Sequence, residues 1–246
     1  PNQHTKEELD LLDKTRIRYG HEGYAELYIQ AMKRGYKRSY GSMSKQIRKL
    51  GKVKTKRKLK TSDVKHNFAL EKHPGDKVQV DIKYVPMECL LFNSYGERYY
   101  QITAIDEYSR KRVLEIFSEK STYSTSEFVK KLEARFGFKI ETIQTDNGPE
   151  FVNTHAEDGK STLFDDTLRK LNIKYKRTRP YSPWQNGKVE RSHKLDNERF
   201  YNRQEFCSKE DMNKKISRYN SRYNNISRKI LDFKSSNQII ESFAFN

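Results

Sequence analysis

Three carboxylates spread along the sequence could together bind divalent metal ions. Asp81 falls in the middle of a strand-like run, Asp146 directly follows another, and Glu190 lies in the first turns of a polar helical segment. Carboxylate oxygens are ligands that Mg²⁺ accepts, and two such ions about 3.5–4 Å apart suit an in-line displacement at a phosphodiester. The chain has 33 acidic residues, so salt bridges or helix-start acids explain each of the three equally well. Position alone leaves both interpretations open.

Alternation of apolar and polar residues fixes the direction of Asp81. Val80 and Ile82 flank it, so the carboxylate points away from the apolar face of its strand. A carboxylate in mid-sheet is costly unless it is paired or binds a metal. Asp146 begins the loop DNGPEF after the strand ETIQT. Sites of α/β proteins gather at such strand ends.

The pattern around these residues predicts a mixed α/β sheet with helices on its faces. Three strands (VQVDIKY, RYYQITAI and RVLEIF) precede a helix, STYSTSEFVKKLEARFG, for which Ser124 and Glu127 predict a capping box. A strand, a helix, the strand IKYKRT and a polar helix from about Lys188 follow. The order of three strands, helix, strand, helix, strand, helix is typical of this class.

The last forty residues are predicted to be helical again. One amphipathic face is formed by Met212, Ile216, Tyr219 and Tyr223.

The first 51 residues predict three short helices that together resemble a helix-turn-helix unit. Apolar periodicity from Tyr24 to Met32 indicates a helix that Gly35 ends, and Met43 and Ile47 mark one face of the next. A basic final helix is typical of DNA-binding units of this kind. The residues expected to contact DNA in this part of the chain are Lys45, Arg48, Lys49, Lys54, Lys56, Arg57 and Lys58.

Charge is the strongest feature of the composition. The formal net charge is +17, and residues 27–62 hold thirteen Lys or Arg and no Asp or Glu. Such a balance favours a polyanionic partner, since each neutralised phosphate releases counterions. Membrane surfaces and RNA would also attract a protein of this net charge. For the basic run itself, the alternative interpretation is a solvated basic face. Because the run overlaps the last predicted N-terminal helix, we expect DNA contact there.

The composition also limits which classes of protein and cellular locations are possible. Apolar residues make up 34% of the chain, no stretch approaches the roughly 20 apolar residues of a membrane span, and the N-terminal segment lacks a secretory pattern. We therefore expect a cytoplasmic protein that associates with the nucleoid when bound to DNA. Cys89 and Cys207 fit neither a disulfide framework nor a zinc site, and free thiols are expected.

Four segments carry a resemblance to a known family. VDIKY, AIDEYSR, QTDNGPEF and TRPYSPWQNGKVERSH, in that order, resemble the DDE integrase core of bacterial insertion-sequence transposases, which are relatives of retroviral integrases. The likeness covers about Lys77 to Tyr201, and the preceding helical region is similar to the same group. The third and fourth segments are highly specific in combination. The resemblance implies a ribonuclease H-like fold and DDE transposase activity.

The resemblance also implies roles for individual residues. Asp81 would bridge two Mg²⁺ or Mn²⁺ ions in each active site, Asp146 would hold one ion and Glu190 the other. A metal-bound water would hydrolyse the strand at the element's end, and the freed 3′-hydroxyl would attack target DNA in the same site. The loop-shaping residues would be Asn147, Gly148 and Gly187. The residues expected to contact DNA near the site are Trp184, Gln185, Asn186, Lys188, Arg191, His193 and Lys194.

Two departures from the family pattern affect these expectations. The 43 residues between Asp146 and Glu190 are more than many relatives have, and the excess is expected in the loop NTHAEDGKSTLFDD. Asn197 stands where many relatives carry a base, so Lys194 or Arg199 is expected to substitute.

Three nearby residues are assigned outside the metal set. Asp106 is expected to be a turn or capping acid, and Glu150 is not expected to bind metal. Trp184 has two interpretations: it stacks on an unstacked base, or it anchors its loop on the fold.

The predicted organisation is an α/β core between helical segments. A helix-turn-helix DNA-binding region spans 1–51, a basic linker 52–75, the DDE catalytic core with its five-stranded ribonuclease H-like sheet 76–204, and a C-terminal helical extension 205–246. The expected partners are double-stranded DNA, as terminal repeats and as target, and further copies of the chain in a dimer or larger assembly on DNA, with no membrane. The alternatives are a nuclease of the same fold that cuts without joining and a DNA-binding regulator with an inert core.

Overall fold

The computed structural model describes residues 3–50, 71–92, 96–152, 161–180 and 182–244. The chain divides into two compact units: residues 1–70 with 226–235, and residues 71–225 with 236–246. Across these described ranges, every helix is too short or too polar to cross a membrane.

The described residues of the first unit form three α-helices, as the apolar periodicity predicts: α1 (Lys6–Tyr19), α2 (Tyr24–Met32) and α3 (Tyr40–Lys49). A capping box of Thr5 and Glu8 starts α1, and the Ser39 side chain accepts a hydrogen bond at the start of α3. Both caps satisfy backbone N–H groups that have no partner within a helix. Gly35 follows α2 at φ +97°, a backbone conformation that glycine tolerates. DNA binding by a helix-turn-helix stays a prediction for this unit.

The side chains between the helices form a small apolar core of Leu12, Leu27, Ala31, Tyr36, Met43 and Ile47. Residues 226–235 belong to this unit because the buried Glu26 carboxylate accepts a hydrogen bond from the Ser227 N–H at 2.7 Å. The Phe233 ring also packs on Tyr28 and Tyr40, with ring centroids 5.5 and 5.1 Å away.

The second unit is built on a mixed five-stranded sheet, which confirms the predicted fold class. Its strands are β1 (Val78–Tyr84), β2 (Tyr100–Asp106), β3 (Arg112–Phe117), β4 (Thr142–Thr145) and β5 (Lys174–Arg177). Their order is β3-β2-β1-β4-β5. The first three strands pair antiparallel, and β4 and β5 continue the sheet in parallel with β1.

Helices cover both faces of this sheet. Apolar side chains of α4 (Thr122–Lys130), α5 (Leu132–Phe136) and α6 (Leu163–Lys170) pack against Val78, Val80 and Ile143 in the larger core. A second cluster around Leu114 and Phe206 contains side chains of α8 (Lys209–Asn225) and the two residues that directly follow α7 (Gly187–Arg199), Phe200 and Tyr201. Neighbouring residues of β3 such as Val113 and Leu114 point to opposite faces, so this strand supplies both cores. The remaining helix of this unit is α9 (Ser236–Ala244).

The predicted start of the fourth helix is wrong by three residues. The N-cap is Ser121, whose hydroxyl accepts a hydrogen bond from the Ser124 N–H at 3.1 Å, so Ser124 and Glu127 form no capping box. Ser121 is in the extended conformation that an N-cap requires. Lys131 then divides the predicted single helix into α4 and α5.

The predicted amphipathic face of α8 is confirmed. Met212 and Ile216 are buried in the second cluster, and α8 also lies along the outer strand β3. The Asn224 side chain accepts from the Arg112 N–H at 2.9 Å and donates to the Arg112 carbonyl at 2.8 Å. The helix thereby satisfies backbone groups on a strand edge that would otherwise be open.

Candidate active site

Asp81 occupies the fourth position of β1, on the face that its sequence pattern predicts. Val80 beside it is fully buried in the larger core. One carboxylate oxygen of Asp81 accepts a hydrogen bond from the Ile82 N–H at 2.8 Å. The other lies 3.3 Å from Nδ1 of His193, a residue of α7. The strand and the helix therefore meet at this carboxylate.

Asp146 begins the loop after β4, and hydrogen bonds fix that loop. Oδ1 of Asp146 accepts from the Gly148 N–H at 3.0 Å, and the Asn147 side chain donates to the Thr178 carbonyl at 3.0 Å. A side chain at position 148 would meet the Glu150 carboxylate at 2.5 Å, so glycine suits this tight turn. These contacts support the proposed loop-shaping role of Asn147 and Gly148.

Glu190 lies in the first turn of α7, whose start is held by a side chain from the sheet. Oε1 of Gln79 accepts from the N–H groups of Lys188 and Val189 at 3.1 and 3.0 Å. A helix start leaves its first N–H groups without partners inside the helix, and Gln79 satisfies two of them. The same side chain donates to the Gln185 carbonyl at 2.8 Å, as Gln144 does at 2.7 Å. Two adjacent strands thus anchor the segment that presents Glu190.

The three carboxylates are close enough to affect one another's protonation. Burial raises the pKa of Glu190, and the negative charges of Asp81 and Asp146 raise it further against the opposing effect of His193. Burial likewise raises the pKa of Asp146, and Asp81 and Glu150 add to the rise. Within the described ranges, no three His, Cys, Asp or Glu side chains are gathered as the ligands of one ion. The arrangement is a set of mutually repelling acids.

Several residues predicted to contact DNA instead have partners within the protein. The Lys188 ammonium lies against the carboxylates of Glu107 and Glu71, and Lys77 pairs with the same two acids at 3.0 and 2.7 Å. Asn186 is buried, and the Gln185 side chain accepts from the Arg179 N–H at 2.9 Å. These placements favour a role in positioning the loop and α7 rather than in contacting phosphates.

Other predicted contacts lie on the surface. The bases Arg191 and Lys194 are exposed on α7, and Trp184 is 46% exposed. His193 is 12% exposed and faces Asp81. Gly187 opens α7, and a Cβ there would meet no neighbouring atom. In the first unit Lys45, Arg48 and Lys49 are exposed on α3, whereas Lys54, Lys56, Arg57 and Lys58 lie outside the described residues.

Asp106 and Glu150, two acidic residues that were assigned outside the metal set, both have partners within the protein. Asp106 is confirmed as a turn acid, because its carboxylate accepts from the N–H groups of Gly75 at 2.9 Å and Ser109 at 2.7 Å. Glu150 is buried and pairs with Lys120 at 2.9 Å.

Two basic residues near the site were not predicted from the sequence. Lys120 precedes α4 and lies close enough to Asp146 that each affects the other's pKa. Lys83 hydrogen bonds to Asn197 and sits 4.4 Å above the Tyr201 ring, and burial lowers its pKa to about 8. Lys83 thus supplies a base beside Asn197, a position for which Lys194 or Arg199 was expected. Alternation along β1, which puts Lys83 on the face of Asp81, was the available signal.

A buried ion pair holds α7 against the sheet. Nη1 of Arg112 donates to Asp196 at 2.6 Å and to Ser192 at 2.8 Å, and both charged side chains are fully buried. Nε donates to Asn220 of α8, and the guanidinium lies 3.7 Å from the centre of the Tyr223 ring. Burial alone would raise the pKa of Asp196, but Arg112 and Gln101 hold it below its ordinary value.

Comparison with known proteins places this unit in a recognised group. Two models of the integrase core domain match the chain, one over residues 71–183 and the other over residues 171–228. The protein "Putative integrase ORF3" of Spiroplasma virus SpV1-C74 is 31% identical over 181 residues, which are 70% of this chain and 49% of that protein. The chain therefore spans about half the length of this curated relative.

Solved structures share the fold. The simian T-cell lymphotropic virus intasome in complex with PP2A regulatory subunit B56 gamma matches with a TM-score of 0.53 at 17% identity, over 88% of this chain and 74% of that chain. The catalytic core domain of BIV integrase matches with a TM-score of 0.51 at 18% identity, over 70% of this chain and 97% of that chain. The sheet and its helices are thus of the ribonuclease H type found in retroviral integrase cores.

Proposed function

Since residues 71–228 form an integrase core domain, we propose that the protein is a DDE transposase. It binds the ends of a mobile DNA element, hydrolyses a phosphodiester to free a 3′-hydroxyl, and joins that hydroxyl to target DNA. The observation that carries this proposal is that β1, β4 and the start of α7, which present Asp81, Asp146 and Glu190, lie next to one another, with Nδ1 of His193 3.3 Å from the Asp81 carboxylate.

The three carboxylates suit divalent cations by their chemistry. Carboxylate oxygens are preferred ligands of Mg²⁺ and Mn²⁺. Burial and then repulsion between the acids raise the pKa values of Asp146 and Glu190, and a bound cation would offset both effects. In our proposal Asp81, Asp146 and Glu190 would hold the ions, with Asp81 shared between the two. Such ions, when bound, neutralise charge at the phosphate and activate the attacking hydroxyl group.

The chain's own residues position these ligands. Gln79 and Gln144 hold the backbone before α7, and the Arg112–Asp196 pair holds the body of the helix. His193 of α7 also contacts the Asp81 carboxylate, with Nδ1 3.3 Å from one of its oxygens. Exposed Trp184, Arg191 and Lys194 are proposed to contact the element end.

DNA cleavage and joining can be measured separately. Labelled duplexes made from the DNA on either side of the gene, where the inverted repeats of an element would lie, are incubated with the protein, Mg²⁺ and a plasmid target. Joined products support a transposase, cleavage without joining supports a nuclease of the same fold, and retarded mobility on a gel without chemistry supports a DNA-binding regulator.

Asp81→Asn should abolish both steps while end binding stays nearly intact. Loss of a shared metal ligand is expected to slow cleavage at least about a thousandfold, which corresponds to about 4 kcal/mol of transition-state stabilisation. Glu127→Gln, which alters a surface carboxylate paired with Lys130, is the matched control and should act as the wild type. Equal loss of binding and chemistry in Asp81→Asn would contradict the division between end binding and catalysis.

A further inference from the structure

The outermost strand of the sheet, β5, ends in exposed lysine and arginine side chains beside the candidate active site. Lys176, Arg177 and Arg179 are all exposed, and together they are called the basic edge below. The outer side of β5 pairs with no described strand. The ion pairs of the described residues leave these three bases without an acidic partner. Their charges are therefore available to an anionic ligand.

The sheet register places Lys176 of the basic edge on the face that carries Asp81. Gln79 pairs with Gln144, and Gln144 pairs with Lys176, so the three side chains form a row on one face of the sheet. Asp81 lies two positions after Gln79 and points to that same face. Neighbouring strands lie about 4.7–4.9 Å apart. Lys176 therefore projects from the face that carries Asp81, two strands away.

Arg177 and Arg179 flank the Asp146 loop. Arg177 pairs in register with Thr145, the residue before Asp146. The Thr178 N–H donates to the Thr145 carbonyl at 2.9 Å, and Asn147 donates to the Thr178 carbonyl. The start of α7 is held over β1 by Gln79. In the strand order β1-β4-β5, Asp146 thus lies between α7 on one side and the basic edge on the other.

We propose that the basic edge binds the phosphate backbone of target duplex DNA. The inference rests on the proposed function, because joining requires two DNA segments to reach the same carboxylates. The exposed bases of α7, Arg191 and Lys194, are assigned to the element end. The second segment then approaches from the β5 side, where three exposed cations complement a phosphate chain.

The test compares two steps of one reaction in the full-length protein. The probes are the gene-flanking inverted repeat as a labelled duplex and a supercoiled plasmid as target. In the combined variant Lys176→Ala, Arg177→Ala and Arg179→Ala, end cleavage should keep its wild-type rate. The plasmid concentration for half-maximal joining should rise about tenfold or more. Its dependence on salt, plotted as logarithms, should become shallower by about 2.7, at about 0.9 for each phosphate contact.

Two controls separate charge from folding. The charge-preserving combination Lys176→Arg, Arg177→Lys and Arg179→Lys should join like the wild type. The combination Lys209→Ala, Lys214→Ala and Arg218→Ala removes three exposed cations from α8, which lies along β3 at the opposite edge of the sheet, and should also leave joining unchanged.

The outcomes are distinct. Unchanged joining in the alanine variant, or parallel loss of cleavage and joining, would overturn the assignment of target DNA to the basic edge. A wild-type protein that cleaves but never joins would overturn both this inference and the transposase proposal. Selective loss of joining, rescued by the charge-preserving variant, supports it.

Discussion

At the scale of single residues, the candidate site combines acids that repel one another with neutral side chains that hold them in place. Asp146 and Glu190 have pKa values raised by burial and by the charge of Asp81. Such a site destabilises the folded protein, because its ionised form is costlier there than in the unfolded chain. A bound cation would relieve this destabilisation, and the free energy of cation binding would then also hold the carboxylates in place.

Asp146→Asn should therefore stabilise the metal-free protein. A raised folded-state pKa means that the penalty is complete above that pKa and disappears as the pH falls below the unfolded value near 3.9. The variant should melt above the wild type at pH 7 in EDTA and show no gain near pH 3. Mg²⁺ at about ten times its Kd should stabilise the wild type by about 1.4 kcal/mol. Thermal melts check both, and an equal Mg²⁺ shift in the variant would remove Asp146 from the metal set.

Gln79 is a second residue with a specific expected effect. Gln79→Ala leaves the N–H groups of Lys188 and Val189 without their acceptor. Of these two donors only the Val189 N–H is fully buried. An unpaired buried donor costs roughly 1–3 kcal/mol, so we expect a loss of about 2 kcal/mol in urea denaturation. Hydrogen exchange in the first turn of α7 should quicken and cleavage should slow. Unaltered exchange at Val189 would exclude this capping role.

At the scale of elements, the Arg112–Asp196 pair joins β3, α7 and α8. Arg112 also meets Asn220 and Tyr223 of α8, while Asp196 accepts from Gln101 of β2 at 2.8 Å. The helix that carries Glu190 is thus fixed by partners from three other elements. The geometry of the candidate site depends on contacts made far from it.

Asp196→Asn should be strongly destabilising. It leaves a fully buried guanidinium uncompensated, which typically costs about 3–5 kcal/mol, whereas Glu127→Gln at the exposed Lys130 pair should cost less than about 1 kcal/mol. Because the folded pKa of Asp196 is lowered, its contribution is full above the unfolded value near 3.9 and is lost as the pH falls through the folded value. Urea titrations at pH 7 and below pH 4 test this, and the variant's loss should shrink in acid. Equal losses at both pH values would contradict the assignment.

Local sequence patterns predicted the helices and strands better than they predicted which polar side chains contact one another. Alternation in β1 placed Asp81 correctly on its face, since strand geometry is set by neighbouring residues. The same patterns gave no sign that Lys188 pairs with Glu107 and Glu71, because these acids lie about eighty or more residues away in the chain. Arg112 gave no local signal of burial. Long-range pairing of polar side chains is decided by the tertiary fold, and a single sequence does not display it.

At the scale of the whole molecule, positive charge is concentrated in particular segments. Thirteen bases without an acid fall between residues 27 and 62, and the net charge is +17. Lys45, Arg48 and Lys49 belong to that run and are exposed on α3. Joining two element ends also requires at least two copies of the chain, so we propose a dimer or larger assembly on DNA.

DNA affinity should consequently fall steeply with salt. Each phosphate neutralised contributes about 0.9 to the slope of log affinity against log salt concentration. Fluorescence anisotropy with an inverted-repeat duplex between 50 and 200 mM salt, about a fourfold span in which several contacts cost about 10³–10⁵ in affinity, measures the slope. Lys45→Ala, Arg48→Ala and Lys49→Ala combined should lower it by about 2.7. A flat response would remove residues 27–62 from the interface.

The contacts of α8 determine where this protein can be divided. A fragment that stops at Gln204 would retain Arg112 and Asp196 but lose Asn220, Asn224 and the Tyr223 ring. Its outer strand would offer an unsatisfied edge to other chains, and we expect such a fragment to aggregate. A catalytic fragment for chimaeras or crystallisation should therefore extend through Asn225, the end of α8. Grafting a different DNA-recognition segment is best done upstream of Glu71, where the second compact unit begins.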